Sequence, residues 1–504
     1  MSLLSHSALS SHRALPRWLP LLVVVALALL LRAVLSTNTD VSWGLTMAEK
    51  WLDGQRLYID VIEVNPPATV FLYVLPVVIE RTIGLRAETA IDALVFLAAA
   101  ASLSVAALTL RGSSAVKAGD GWPLLTAAAA AILILPAQTF AEREHIVLIA
   151  FLPLLAVAAT RAKGERPNWW AVLAAGISGG ITAIVKPHFA LAIVCVSLAA
   201  AIGARSWRVV FAFENWMAAA ALAAYALFVT VAYPHYVHDM VPLLMLAYVP
   251  LKEDFLSFIL LVATPVWIAM LALIWRLKRK AMLEAPFSLL LAASIGFAAA
   301  YFLQRKGWPY QSYPMLALAL LALVLAVIER WREESGRVAP NRLEWLAGGL
   351  VTASIAVLTF FWLNAAVDRQ AVTAAVRSMM AHPKILILSS DLSIGHPLTR
   401  DVGGIWVSRT SALWLTLGAE VLLERGNLDG ATQAALKNAL AIDKKMLTED
   451  IAGQHPDLIL VHLTRGFDWM AWAHSDPRLK AALAAYRPAR TIGDVVILQR
   501  SAAH

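Results

Sequence analysis

The chain has 504 residues, of which 60% are hydrophobic and 15% charged, and its mean hydropathy is +0.68. That composition excludes an ordinary soluble enzyme. The net charge of +8 sits in short Lys/Arg clusters between apolar runs, a pattern that orients a chain in a bilayer and does not call for nucleic acid. The single cysteine, Cys195, excludes an intrachain disulfide and a cysteine metal cluster.

Arg13 and Arg17 precede a long apolar run that lacks a clear small-residue cleavage site, so residues 18–36 are expected to be an uncleaved first span. The polar stretch 40–67 follows. Trp43, Met47 and Trp51 recur at four-residue spacing, which predicts an amphipathic helix on the membrane surface, capped by Asp40 or Ser42 and ended by Gly54. Asn65-Pro66-Pro67 then forces extended backbone.

Further spans are expected at 88–110, 120–138, 146–160, 169–185, 189–204, 209–232, 257–275, 286–303, 313–328 and 344–363, giving about eleven. The segment 66–84 decides the sidedness of all that follows it. If it does not cross, Arg111/Lys117, Arg161/Lys163/Arg166, Arg205/Arg208, Arg276/Lys278/Arg279/Lys280 and Arg330/Arg332/Arg337 all face the cytoplasm, as the positive-inside rule requires. The N-terminus is then inside and the C-terminus outside. Residues 365–504 change character: strand-length runs at 384–390, 457–463 and 494–500 alternate with helical stretches at 429–441 and 476–486. The expected architecture is an all-α polytopic membrane domain, 1–364, followed by a small α/β domain outside the membrane, 365–504.

This topology brings the reactive groups to one outer face. Asp40 is either a helix cap or, partly desolvated at the boundary, a general base for an acceptor hydroxyl. Glu63 is a loop residue or an orienter. Glu142-Arg143-Glu144-His145 sits at a span end, where paired carboxylates suit a divalent cation or sugar hydroxyls, so a magnesium or manganese ion stays open. Lys186-Pro187-His188 is a wet turn or a phosphate contact. Gln304-Arg305-Lys306-Gly307-Trp308-Pro309-Tyr310 combines cations and aromatics, as a phosphate head with an isoprenoid or acyl chain would need, or as an aromatic belt would. No Walker, GxGxxG, HExxH or GxSxG motif is evident.

A first span, an outer-loop Asp, "GQRLYIDVIEVNPP" at 54–67, a second acidic motif about a hundred residues on and an outer C-terminal domain together resemble the GT-C superfamily of integral-membrane glycosyltransferases. The polyprenyl-phosphate-dependent branch is the most similar: protein O-mannosyltransferases, lipid A aminoarabinose transferases and galacturonosyltransferases of lipopolysaccharide core. The resemblance implies a bacterial inner-membrane enzyme with its C-terminal domain in the periplasm. It would move a sugar from a polyprenyl-phosphate donor to a glycan, lipid or protein acceptor, with inversion. Asp40 would be catalytic, with Tyr58, Glu63, Asn65, Glu142, Arg143, Glu144, His145, Lys186, His188, Gln304, Lys306 and Trp308 around donor and substrate. Asn65 stands where some members carry a phosphate-binding lysine, so that contact falls to Arg143, Lys186 or Lys306. Asp40-Val41 replaces the Asp-Glu pair of many members, which leaves a metal there open. Two other functions stay in view, a lipid-linked glycan ligase or polymerase and a flippase of lipid-linked sugar.

Overall fold

The computed structural model describes residues 16–117, 119–278, 284–335 and 342–501. Of the cations named above, Arg13, Arg279, Lys280 and Arg337 lie outside these residues. A helix occupies each of the eleven expected spans. Six are long and apolar enough to cross a bilayer: Ala87–Leu110, Arg143–Ala162, Trp207–Ala232, Phe287–Gln304, Pro309–Trp331 and Leu346–Leu363. The other five, Leu19–Val34, Gly121–Leu133, Trp169–Val185, Ala190–Gly203 and Ala263–Lys278, have 13 to 17 residues. At 1.5 Å per residue they reach about 20–25 Å, somewhat short of a hydrocarbon core near 30 Å. The chain is a multi-pass membrane protein.

Arg143–Ala162 is the hub, buried on nearly every side. Trp169–Val185 packs between it and Phe213–Ala232. Small residues permit the approach: a Cβ on Gly176 would run into Met217, and one on Gly179 into Ala218. The segment 66–84 forms a four-residue helix, Ala68–Phe71, and a ten-residue helix, Val74–Ile83. The longer one spans only about 15 Å, half of a hydrocarbon core.

The C-terminal layer holds a five-stranded sheet in the order β2-β1-β3-β5-β4. Its strands are β1 (Lys384–Leu388), β2 (Ile405–Trp406), β3 (Leu458–His462), β4 (Tyr486–Ile492) and β5 (Val495–Arg500). β1 runs parallel to β2 and β3, whereas β5 is antiparallel to β3 and β4. The three expected strands are β1, β3 and β5. β2 is two residues long, and β4 begins at Tyr486, which the expected helix 476–486 had claimed; that helix is Pro477–Leu483. The helix expected at 429–441 runs on to Gln454, capped by Asp429 accepting from the Thr432 N–H at 2.8 Å.

The helix Thr39–Leu52 departs from its expected setting. Its cap is Asn38, whose Oδ1 accepts from the Asp40 N–H at 2.7 Å; neither Asp40 nor Ser42 serves. Val41 to Ala48 are all buried, because the C-terminal layer covers the face that would otherwise meet lipid or water. Lys50 donates to the Ser408 carbonyl at 2.7 Å, the Ile62 N–H to the Arg409 carbonyl at 2.8 Å, and Arg400 binds Glu49 and Glu88. Gly54, at φ +84°, follows the helix as expected.

Candidate active site

A cavity of about 840 Å³ opens between the bundle, its loops and the C-terminal layer. Asp40, Glu63, Asn65, Glu142, Arg143, Lys186, His188, Gln304, Lys306 and Trp308 all line it. The helix directions explain the convergence. Arg143–Ala162 and Pro309–Ser335 start at the cavity, while Trp169–Val185 and Phe287–Gln304 end there. The Arg161 end of the first lies about 25–30 Å away.

At the cavity floor Arg143 donates to Asp40 Oδ1 at 2.9 Å. Because Asn38 holds the cap, the Asp40 carboxylate is free for this pairing. Lys186 is ion-paired with Glu144, both buried. Burial pulls the Lys186 ammonium below its ordinary value, with Glu144 opposing. Tyr310 lies between the two cations, its ring centre 5.9 Å from the Arg143 guanidinium carbon and 5.5 Å from Lys186 Nζ.

Glu142 is the N-cap residue of the hub helix, in extended backbone at ψ 163°. The loop before it is pinned through its backbone. Arg32 donates to the Ala137 carbonyl at 2.9 Å, Asn38 to the Gln138 carbonyl at 2.9 Å, and Tyr73 OH to the Ala141 carbonyl at 3.0 Å. Tyr73 can reach because its ring lies against Gly44, where a Cβ would collide with it.

Three expected site residues do not line the cavity. His145 is fully buried behind it: its Nδ1 accepts from the Ala141 N–H at 2.9 Å, and its Nε2 faces the Ile132 carbonyl at 2.6 Å. It shapes the loop that presents Glu142. Tyr58 is buried and donates to the Asn65 carbonyl at 2.8 Å. Glu144 acts on the cavity through Lys186. Glu63 accepts from Trp43 Nε1 at 2.7 Å and from the Asn65 N–H at 3.0 Å, which ties the loop to the helix Thr39–Leu52. Lys306 donates to the carbonyls of Tyr248 and Leu251 at 2.5 Å each, and burial pushes its pKa down to about 8.

Sequence reasoning missed several walls. Tyr248, Gln311, Asp391, Ser393, Trp414 and Arg425 also line the cavity. Gln311 directly follows the aromatic motif already singled out, whose last residue, Tyr310, lines the cavity as well. The other residues come from the segment Leu244–Tyr248, from 391–393 and from the two ends of the helix Trp414–Arg425, which no local motif marks. Asp40 is paired with Arg143 and Glu144 with Lys186, and among the described residues no three His, Cys, Asp or Glu gather as a ligand set for a divalent cation.

Fold and site together define a polytopic helical membrane protein whose carboxylates and cations meet in one cavity beneath a small α/β layer. The chain is similar in fold to ArnT from Cupriavidus metallidurans. The crystal structure of that protein bound to undecaprenyl phosphate aligns over 96% of this chain and 98% of that one, at 14% identity and a TM-score of 0.55. Its apo structure aligns over 95% and 97%, at 14% identity and a TM-score of 0.52. No family model and no curated protein matches the chain. That likeness bears out the expected architecture, a polytopic helical bundle followed by a small α/β layer.

Proposed function

We propose that this chain is an integral-membrane glycosyltransferase that moves one sugar from a polyprenyl-phosphate donor to a hydroxyl of an envelope glycan, lipid or protein. In this reading the bundle, 1–364, carries the chemistry and 365–504 caps it on the periplasmic side of a bacterial inner membrane, with the N-terminus in the cytoplasm. The observation that carries the proposal is the meeting of Asp40, Glu142, Arg143 and Lys186 in one 840 Å³ cavity lined by Tyr248, Trp308 and Tyr310. The undecaprenyl phosphate bound to ArnT supports a polyprenyl phosphate as the lipid part of the donor.

Asp40 takes the proton of the acceptor hydroxyl, and Arg143 holds the carboxylate in position. Attack opposite the departing phosphate inverts the anomeric carbon. Aromatic faces at Trp308 and Tyr248, ring centres 6.5 Å apart, suit the first isoprene units and the sugar. At the far helix ends Arg161 pairs with Glu214 and Lys278 with Glu329, so these charges sit at span ends, away from the mid-bundle positions where a flippase carries polar groups.

A deletion strain tests the proposal. One polyprenyl-phosphate sugar should accumulate in its lipid extract and one sugar should vanish from an envelope acceptor. Wild-type protein should reverse both changes and Asp40→Asn should not. An unchanged lipid-linked sugar pool would defeat the assignment.

A further inference from the structure

Five ionisable side chains meet at the cavity floor, and their charges do not balance. Asp40 is paired with Arg143 and Glu144 with Lys186, which leaves Glu142 without a cation of its own. Glu142 lines the cavity, yet both its carboxyl oxygens are buried and neither has a hydrogen-bond partner. An ionised carboxylate in that position is far more costly than a protonated one, because the charge adds to the cost of an unpaired polar group. The charged and titratable groups facing it are Asp40, Glu144, Arg143, Lys186 and Tyr73. Burial and the two carboxylates drive its proton affinity well above the usual range, against the weaker pull of the two cations.

The same pairings bear on the leaving group. Arg143 and Lys186 are engaged by carboxylates, and Lys306 by two backbone carbonyls. The cations expected to receive a phosphate are therefore partly spent, whereas a neutral carboxylic acid keeps an O–H to give. Two carboxyls in unlike surroundings, one beside a guanidinium and one with no partner, divide into base and acid.

Building on the transferase reading above, we propose that Glu142 is the general acid of the reaction, protonating the departing phosphate oxygen while Asp40 deprotonates the acceptor. The acceptor oxygen bonds to the anomeric carbon as the bond from that carbon to the phosphate oxygen breaks. The bonding pair stays on the phosphate oxygen, which receives the Glu142 proton. Asp40 ends protonated and Glu142 ionised, and one proton passes from Asp40 to Glu142 through cavity water before the next turnover. The net reaction moves the hydroxyl proton to the polyprenyl phosphate and consumes none.

Two measurements on the full chain in micelles test this. Glu142→Gln keeps the shape and an N–H donor but has no proton to transfer. An infrared difference spectrum, wild type minus Glu142→Gln, should show a protonated-carboxyl C=O band at neutral pH, whether or not sugar is transferred. Its absence would overturn the acid. Turnover is then followed against pH with the lipid-linked sugar that accumulates in the deletion strain. The wild-type rate should fall on the alkaline side. Glu142→Gln should be about 10²-fold slower, lack that fall and keep its donor KM, and Glu142→Ala should be as slow. Near-normal turnover by Glu142→Gln would remove the catalytic role, and loss of the acidic limb instead would make Glu142 a base. If the wild type turns over no lipid-linked sugar, the transferase reading falls and this role with it, while the infrared band still reports the proton on Glu142.

Discussion

Arg143 donates to Asp40 at 2.9 Å, joining the first residue of the hub helix to the second residue of a helix 103 positions earlier. The bond is available because Asn38, two residues before Asp40, caps that earlier helix. Capping and chemistry therefore fall on different side chains and can be separated. Asp40→Asn should lower transfer about 10²–10⁴-fold at an unchanged cap, as loss of a positioned base does. Asn38→Ala should instead cost roughly 1 kcal/mol of stability. Turnover and thermal melting of both variants check the division. Near-normal transfer by Asp40→Asn at matched protein level would take Asp40 out of the mechanism.

The contrast between Asn38 and Asp40 shows where the sequence was legible. Apolar runs and the loss of span-length hydrophobicity after residue 363 were enough to mark the eleven helices and the change to strands. Ten of the thirteen proposed site residues line the cavity, because span ends on one face must meet there. Competition between neighbouring polar residues was not legible: Asn38, Asp40 and Ser42 are all acceptable caps, and only the loop at Gln138 selects Asn38. His145 looked reactive but is spent on two backbone groups. Strand β4 contains Pro488 and a mostly exposed face, which an edge strand tolerates and a hydrophobic pattern does not reveal. The burial of helix Thr39–Leu52 depends on residues about 350 positions later, beyond any local signal.

Lys186 and Glu144 form the second buried pair of the floor. Lys186→Ala leaves Glu144 as an uncompensated buried charge, so roughly 3–5 kcal/mol of stability should be lost. Its effect on donor KM would then be hidden by misfolding. The double variant Lys186→Met/Glu144→Gln removes both charges and should recover most of that stability. If Lys186 also meets the donor phosphate, the double variant should fold yet keep a raised donor KM. Full recovery of KM would make the pair purely structural.

Lys50 provides a pH test of the seam between the helix Thr39–Leu52 and the C-terminal layer. Burial pushes its ammonium down to about 8 from an ordinary 10.5, against the pull of Asp450. Between those values the unfolded chain binds the proton and the folded chain does not, so stability rises with pH across that window. Below about pH 8 the penalty is fully present. Lys50→Met removes it, along with the bond to the Ser408 carbonyl. Melting curves should show a rise in stability from pH 8 to pH 10.5 in the wild type and a flatter profile in Lys50→Met. Equal slopes would show that Lys50 is hydrated in the folded protein.

Arg400 locks the C-terminal layer onto that helix. Its guanidinium is buried, contacts Glu49, reaches Glu88 at 2.6 Å and lies 3.7 Å from Glu80. Arg400→Leu would leave Glu49 and Glu80 crowded beside Glu88, with only Arg86, 3.5 Å from Glu88, to offset them, whereas Arg400→Lys keeps the charge and loses the fork. On the other side of the layer Gly418 sits against the Ala247 carbonyl, where a Cβ would collide with backbone that has no room to yield. Gly418→Val should therefore lift the helix Trp414–Arg425 from the outer loop without touching any charge. Asp391, Ser393 and Trp414, all from the C-terminal layer, line the cavity. Loosening either side should thus lower turnover and raise hydrogen exchange in Trp414–Arg425 together, with Arg400→Lys milder than Arg400→Leu. A rise in exchange at unchanged turnover would show that the bundle alone completes the site and that the layer is only a cover.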